Sequence, residues 1–170
     1  MTDLNSTDRA GLTGLARFII TGWALLGGLV LLLVVLMNVY SVVGGVFWEP
    51  FPGDFEMTQV GIVVAAFAFL PYCQITDANV TADIFTSKAS PRWIAIFSLI
   101  ASVVALAFSI LLLHRMYDGM LDRHEYGYTT TILQFPEWIG YVPILISLAL
   151  LAIAALITLI ESAQNTVKAR

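Results

Sequence analysis

Side chains able to do acid–base, metal or redox chemistry are few in this chain, and they gather in one stretch. His114, Asp118, Asp122 and Glu125 recur at helical spacing, so a helix running through them would put all four on one face, where a divalent cation could be held. Gly119 weakens that continuation, and an exposed acidic loop is the plainer expectation. His114 and His124 are the only histidines, and both lie beyond the apolar part of their segment. The axial ligands of a haem held inside a helix bundle are therefore missing. The single cysteine, Cys73, excludes an intramolecular disulfide and, set in an apolar run, reads as a small buried hydrophobe. No GxSxG, HExxH or phosphate-cradling glycine loop occurs. The sequence predicts no catalytic group, no cofactor and no resident metal.

The elements that would position these residues are dominated by hydrocarbon. Of the 170 residues, 59% are hydrophobic and only 12% charged, about half the charged share of a soluble domain. The net charge of −4 leaves no basic patch to displace counterions from phosphate, which argues against nucleic acid as a partner. The apolar residues form four blocks. Twenty uncharged residues separate Arg17 from Asn38, enough to cross a hydrocarbon core of about 30 Å. This first run is too long for a signal peptide and lacks a prompt small-x-small cleavage motif, so an uncleaved first span is expected. Gly44, Gly45, Pro50, Pro52 and Gly53 then form a loop, with Phe47 and Trp48 suited to the membrane–water interface. Asp54 is placed to cap the second helix and Glu56 to favour its positive end. Ser90 and Pro91 are a start signal for a third helix, uncharged over residues 93–113. Pro136 and Glu137 open a fourth, uncharged over residues 138–160. The predicted fold is all-α: one integral membrane domain over residues 1–170 with transmembrane helices at about 17–43, 55–76, 91–117 and 136–161. A hinge at about residues 77–90 and outer loops at about 44–54 and 118–135 connect them.

Orientation follows from lysine and arginine. Arg9, Arg17, Lys88, Arg92, Lys168 and Arg170 fall on the termini and the hinge, whereas the two remaining loops hold only Arg115 and Arg123. Both termini and the hinge are expected in the cytoplasm. The outer side then has two basic against seven acidic residues, a net of −5, and the inner side six against five, a net of +1. The glycosylation-like triplets at Asn5 and Asn79 fall on the cytoplasmic side and are not read as sugar sites. No span has an ionisable residue at mid-membrane, where a pump or channel would keep one. Asn38, Gln59, Gln74, Ser98, Ser102 and Ser109 are the polar candidates, and interhelical hydrogen bonding is their plainest role. Gly22, Gly27 and Gly28, with Ala65, Ala66 and Ala68, suit close helix packing. In the hinge, Val80, Ile84 and Phe85 share a face if residues 79–87 are helical, and such a segment would lie in the interface plane; a plain connecting loop is the alternative.

One ordered set of motifs goes further. Asn38 ends the first helix and Glu56 begins the second. Pro71-Tyr72-Cys73-Gln74 precedes Asn79-Val80-Thr81-Ala82-Asp83-Ile84-Phe85-Thr86, Arg115 closes the third helix, and Phe135-Pro136-Glu137-Trp138 opens the fourth. This order resembles the small membrane subunit of tripartite ATP-independent periplasmic (TRAP) transporters, the DctQ-like family, along nearly the whole chain. Departures are Thr76-Asp77-Ala78 where the family often has a basic pair, Ala82 where valine is common, and Met57 where a second acid often follows Glu56. The resemblance implies a non-enzymatic subunit of the bacterial inner membrane. It would brace a large transport subunit and help dock a periplasmic solute-binding protein during sodium-coupled import of an organic solute, an organic acid by expectation. Asn38, Gln59, Gln74, Asp83, Phe85, Arg115 and Trp138 become candidates for contact with the large subunit or for helix packing, and Trp48, Glu49, Asp54, Asp118, Asp122 and Glu125 for docking the binding protein. Two other readings stay open. One is a free-standing small transporter or channel, a homo-oligomer with Asn38 and Gln59 lining its path; the other is a membrane enzyme or redox subunit using the residues between His114 and Glu125.

Overall fold

In the computed structural model, residues 4–76 and 91–168 are described, with side chains over 13–76 and 96–164. Four helices account for nearly all of them: α1 (Leu4–Phe47), α2 (Asp54–Ile75), α3 (Pro91–Glu125) and α4 (Trp138–Lys168). Each contains a stretch long and apolar enough to cross a membrane. Among the described residues there is no strand, only an isolated bridge between Thr129 and Pro136 in the α3–α4 loop.

The helices extend past the expected limits at several ends. α1 starts at Leu4 and passes through Gly44 and Gly45 to Phe47. Gly44 serves the turn that follows the helix, because a Cβ there would meet the Glu49 carbonyl oxygen at 2.5 Å. α3 continues beyond residue 117 to Glu125, so the loop expected from 118 is helical for its first eight residues. Gly119 does not break it; Tyr141 of α4 packs over this position, with ring atoms 3.4 Å from where a Cβ would stand. The hinge at 77–90, with Asp83 and Phe85, lies outside the described residues.

The packing is a layer with two open edges. α3 packs on α4, α4 on α2, and α2 on α1, while α1 meets α4 only sparingly and keeps no substantial contact with α3. The interior is correspondingly thin and built largely from small residues, Ala24, Ala65, Ala68, Ala154 and Ala155, with Ile20, Ile75, Ile144 and Leu148. Gly27 lets α1 approach α2: a Cβ there would lie 2.6 Å from the Cβ of Ala68, which has no rotamer to yield. Gly22 has nothing within 4 Å, and Gly28 reaches only the ring edge of Phe69, so the predicted glycine stripe acts through Gly27.

A side-chain hydrogen bond crosses each helix contact. Asn38 donates to Thr58 at 2.8 Å between α1 and α2. Trp23 Nε1 donates to Ser147 at 2.8 Å between α1 and α4, and Gln74 to Thr158 at 3.0 Å between α2 and α4. Ser98 and Ser162 share a bond of 3.0 Å between α3 and α4. Ser102 and Ser109, also expected to bond across helices, are buried but donate to carbonyls of their own helix, those of Ser98 and Leu106.

Gly27→Leu is expected to prise α1 from α2 and lower stability by about 1–3 kcal/mol, the usual range for overpacking. Gly22→Leu, in open space, should be close to neutral. Thermal unfolding of the two variants in detergent checks the contrast.

Candidate partner-binding surfaces

The end of the layer that carries the α1–α2 and α3–α4 loops, the loop end, is held by three carboxylates. Asp54 is the first residue of α2 rather than its cap, a correction to the sequence reading. The cap position belongs to Gly53, whose φ of 77° is a left-handed conformation that favours glycine. Leu133 lies against it, leaving no room for a side chain. Freed from capping, Asp54 accepts a hydrogen bond from the Ser41 hydroxyl, and the hydroxyl oxygen in turn accepts the backbone N–H of Phe51. The loop between α1 and α2 is thereby folded back onto α1.

Of the three carboxylates, Glu56 reaches furthest along the chain. Its carboxylate oxygens accept the backbone N–H groups of Ile132 at 2.8 Å and Leu133 at 3.1 Å, from the loop between α3 and α4. The third carboxylate, Glu137, takes Arg123 at 2.9 Å, and the Arg123 guanidinium also lies 4.6 Å from the ring centre of Tyr128. The loop closes through Thr130 N–H to the Phe135 carbonyl and Glu137 N–H to the Tyr128 carbonyl. A cleft of about 430 Å³ opens between α2, α3 and α4 beside these groups, with Gln59, Met116, Thr131 and Tyr141 among its walls.

The predicted site residues separate into engaged and free groups. Asn38 and Gln74 are helix-packing residues, bonded as described above. Gln59 is exposed in the cleft, away from Asn38. Trp138 is partly buried and takes the edge of the His124 ring at 5.2 Å. Arg115 is exposed on α3, where His114 and Asp118 stand 3.7 Å apart. Trp48, 82% exposed, and Glu49, Asp122 and Glu125 are open to the surroundings, whereas Asp54 is tied to Ser41. Although α3 runs through His114, Asp118, Asp122 and Glu125, no three metal-ligating side chains come together among the described residues. The role of Glu56 was not accessible to sequence reasoning. Its acidity at a helix start is explained locally, and nothing nearby in sequence points to a loop 76 residues away.

Glu56→Gln is expected to loosen the α3–α4 loop, because an amide offers one acceptor oxygen where the carboxylate uses two. Amide exchange at Ile132 and Leu133 should accelerate several-fold, while Glu49→Gln, at an exposed position, should leave it unchanged. Hydrogen–deuterium exchange on both variants is the measurement.

No curated protein and no solved structure matches the chain. A family does: the tripartite ATP-independent periplasmic transporters, DctQ component, matches residues 31–165, from the middle of α1 almost to the end of α4. That segment contains the helix contacts through Asn38, Thr58, Gln74 and Thr158 and the three carboxylates of the loop end. With four membrane-crossing helices, and as a transporter component rather than an enzyme, the chain belongs to the DctQ family, the small membrane component of TRAP transporters.

Proposed function

We propose that the chain braces the large transport subunit in the bacterial inner membrane and adds to the docking surface for the periplasmic solute-binding protein, in sodium-coupled import of an organic solute, by expectation an organic acid. The observation that carries this reading is the use made of polar side chains within the spans. Asn38, one of the two candidates for lining a path, is bonded to Thr58 at a helix contact, as Gln74 is to Thr158, and Gln59, the other, lines the cleft instead. A layer that commits Asn38 and Gln74 to its own packing suits a static support. The tripartite family supplies the two partners of the proposal.

Both termini and the hinge face the cytoplasm in this proposal, on the lysine and arginine count, and the loop end faces the periplasm. Trp48, Glu49, Asp122 and Glu125, exposed there, are the groups left open for a soluble partner. Asp54 is engaged and serves the loop instead. Asp83 and Phe85 remain proposed contacts of the hinge.

Purification of the tagged protein from its native membrane in mild detergent tests the brace. A stoichiometric large membrane chain is expected, and recovery of the protein alone, or only with copies of itself, overturns it. Docking is tested by Glu49→Lys, Asp122→Lys and Glu125→Lys combined. Association of the binding protein with the assembled membrane subunits should slow several-fold at low ionic strength and converge with the unaltered rate at high salt. An unchanged rate at low salt removes these side chains from the docking surface.

A further inference from the structure

Helices packed side by side share a membrane, so their pairing register fixes their relative depth. α1, α2 and α4 agree. Gly27 sits on Ala68, Val60 on Gly140, and Gln74 bonds Thr158, which brings the middles of the uncharged runs of α2 and α4, near positions 67 and 149, level with position 27, well inside the uncharged run 18–48 of α1.

α3 does not agree. The contacts of Ser98 with Ser162, Gly119 with Tyr141 and His124 with Trp138 set Leu111 opposite Ala149, yet the uncharged run of α3 is centred on Val103. The offset is roughly eight residues, about 12 Å along a helix. Tilting the layer does not remove it, because a tilt of about 20° moves helices ~10 Å apart by only ~3 Å in relative depth. His114, Arg115 and Asp118 therefore stand level with α4 residues 142–146, inside the apolar run of that helix.

These three residues also point away from α4. The side chains of His114 and Asp118 are 74% and 49% exposed, and Arg115 is exposed beside them, on the same open face as Val104, Phe108 and Leu111. Ionisable groups at such a depth face protein or enclosed water rather than lipid. His114 and Asp118 meet part of each other's need at 3.7 Å, while Arg115 has no ion pair among the described residues. The open edge of α1 offers a contrast, with Leu25, Leu29, Leu32 and Leu36 exposed along it and no charge among them. Such a face needs no cover but hydrocarbon.

We propose that the face of α3 formed by Leu111, His114, Arg115 and Asp118 seats a membrane-embedded protein partner that presents a carboxylate or backbone carbonyls to Arg115 and a hydrogen-bond donor to Asp118. The inference rests on the brace reading, under which that partner is the large transport subunit. The α1 edge faces lipid.

The test places a photo-reactive benzophenone side chain at Leu111, and separately at Leu32 of α1, in the full chain within the assembled transporter in its native membrane. A crosslink from Leu111 to the large subunit is expected. His114→Leu, Arg115→Leu and Asp118→Leu combined should reduce the large subunit recovered per small subunit at least fivefold, although the exchange makes α3 more apolar. If the large subunit co-purifies but Leu111 crosslinks only lipid or a second copy of this chain, or only Leu32 reaches it, the seat on α3 is overturned and the brace stands. Full recovery with the triple variant also overturns the seat. If no large subunit co-purifies, both are overturned.

Discussion

Four helices joined edge to edge have no common interior, and the rest of this molecule depends on that constraint. In a closed bundle a buried polar side chain can draw partners from several helices. In this layer at most three helices meet, as α1, α2 and α4 do at Ile20, Ile75 and Ala154, and each pair in contact has its own hydrogen bond: Asn38 with Thr58, Trp23 with Ser147, Gln74 with Thr158 and Ser98 with Ser162. Such bonds contribute on the order of 1 kcal/mol or less between membrane helices, too little to hold a layer by themselves. Their effect is to select which faces meet and at what height. Cohesion comes from close approach at small residues, as at Gly27 against Ala68 and Gly61 against Val34 between α1 and α2.

The loop end adds a second tie between two helical hairpins already joined where α2 packs on α4. Asp54, through Ser41, ties the loop of the first hairpin to α1, and Glu137, through Arg123, fixes the base of the second. Neither connects the hairpins to each other. Glu56 does, because its carboxylate on α2 accepts two backbone N–H groups from the loop after α3. α1 and α3 lie at opposite edges and cannot supply that link themselves. The acidity that gives this end its net charge is thus partly structural, and only the exposed part of it, Glu49, Asp122 and Glu125, is free to meet another molecule.

The number of spans was legible in the sequence because charge-free runs of about 20 residues have no competing explanation. Helix ends were less so. Gly44, Gly45 and Gly119 read as breakers, yet Gly44 admits the Glu49 carbonyl and Gly119 lies under Tyr141, so these two answer a packing need inside or at the end of a continuing helix. Likewise, the polar residues after Leu113 mark a change of surroundings, which a helix can cross without ending. Among the polar candidates, Asn38 and Gln74 bond across helix contacts, to Thr58 and Thr158. Ser102 and Ser109 were not separable from Ser98, since whether a serine bonds a neighbour or its own helix depends on which face is turned inward. Glu56 stands in the first turn of α2 as its sequence position suggests, but its long-range partners were not legible. Its partners come from a loop whose path is set by α3 running on to Glu125.

Depth is the property least visible in one sequence and most consequential here. Each helix alone looks self-consistent, with its charges flanking its own apolar run, and only the pairing register reveals that α3 is displaced from the other three. A soluble protein would tolerate such a displacement, because its surroundings are uniform. A bilayer is layered, so the same displacement sets charged residues beside hydrocarbon at the loop end, and the apolar Phe97 beside the polar last turns of α4 at the other. Both ends of α3 are mismatched in opposite senses, as a shift along its axis requires. No rearrangement of exposed side chains repairs both, since reaching outward helps Arg115 and does nothing for Phe97. The free face of α3 is thus suited to a neighbour with a matching sequence of polar and apolar surface, whereas the uniformly apolar edge of α1 is already complete in lipid. The layer is open on both sides, but only one side is unfinished.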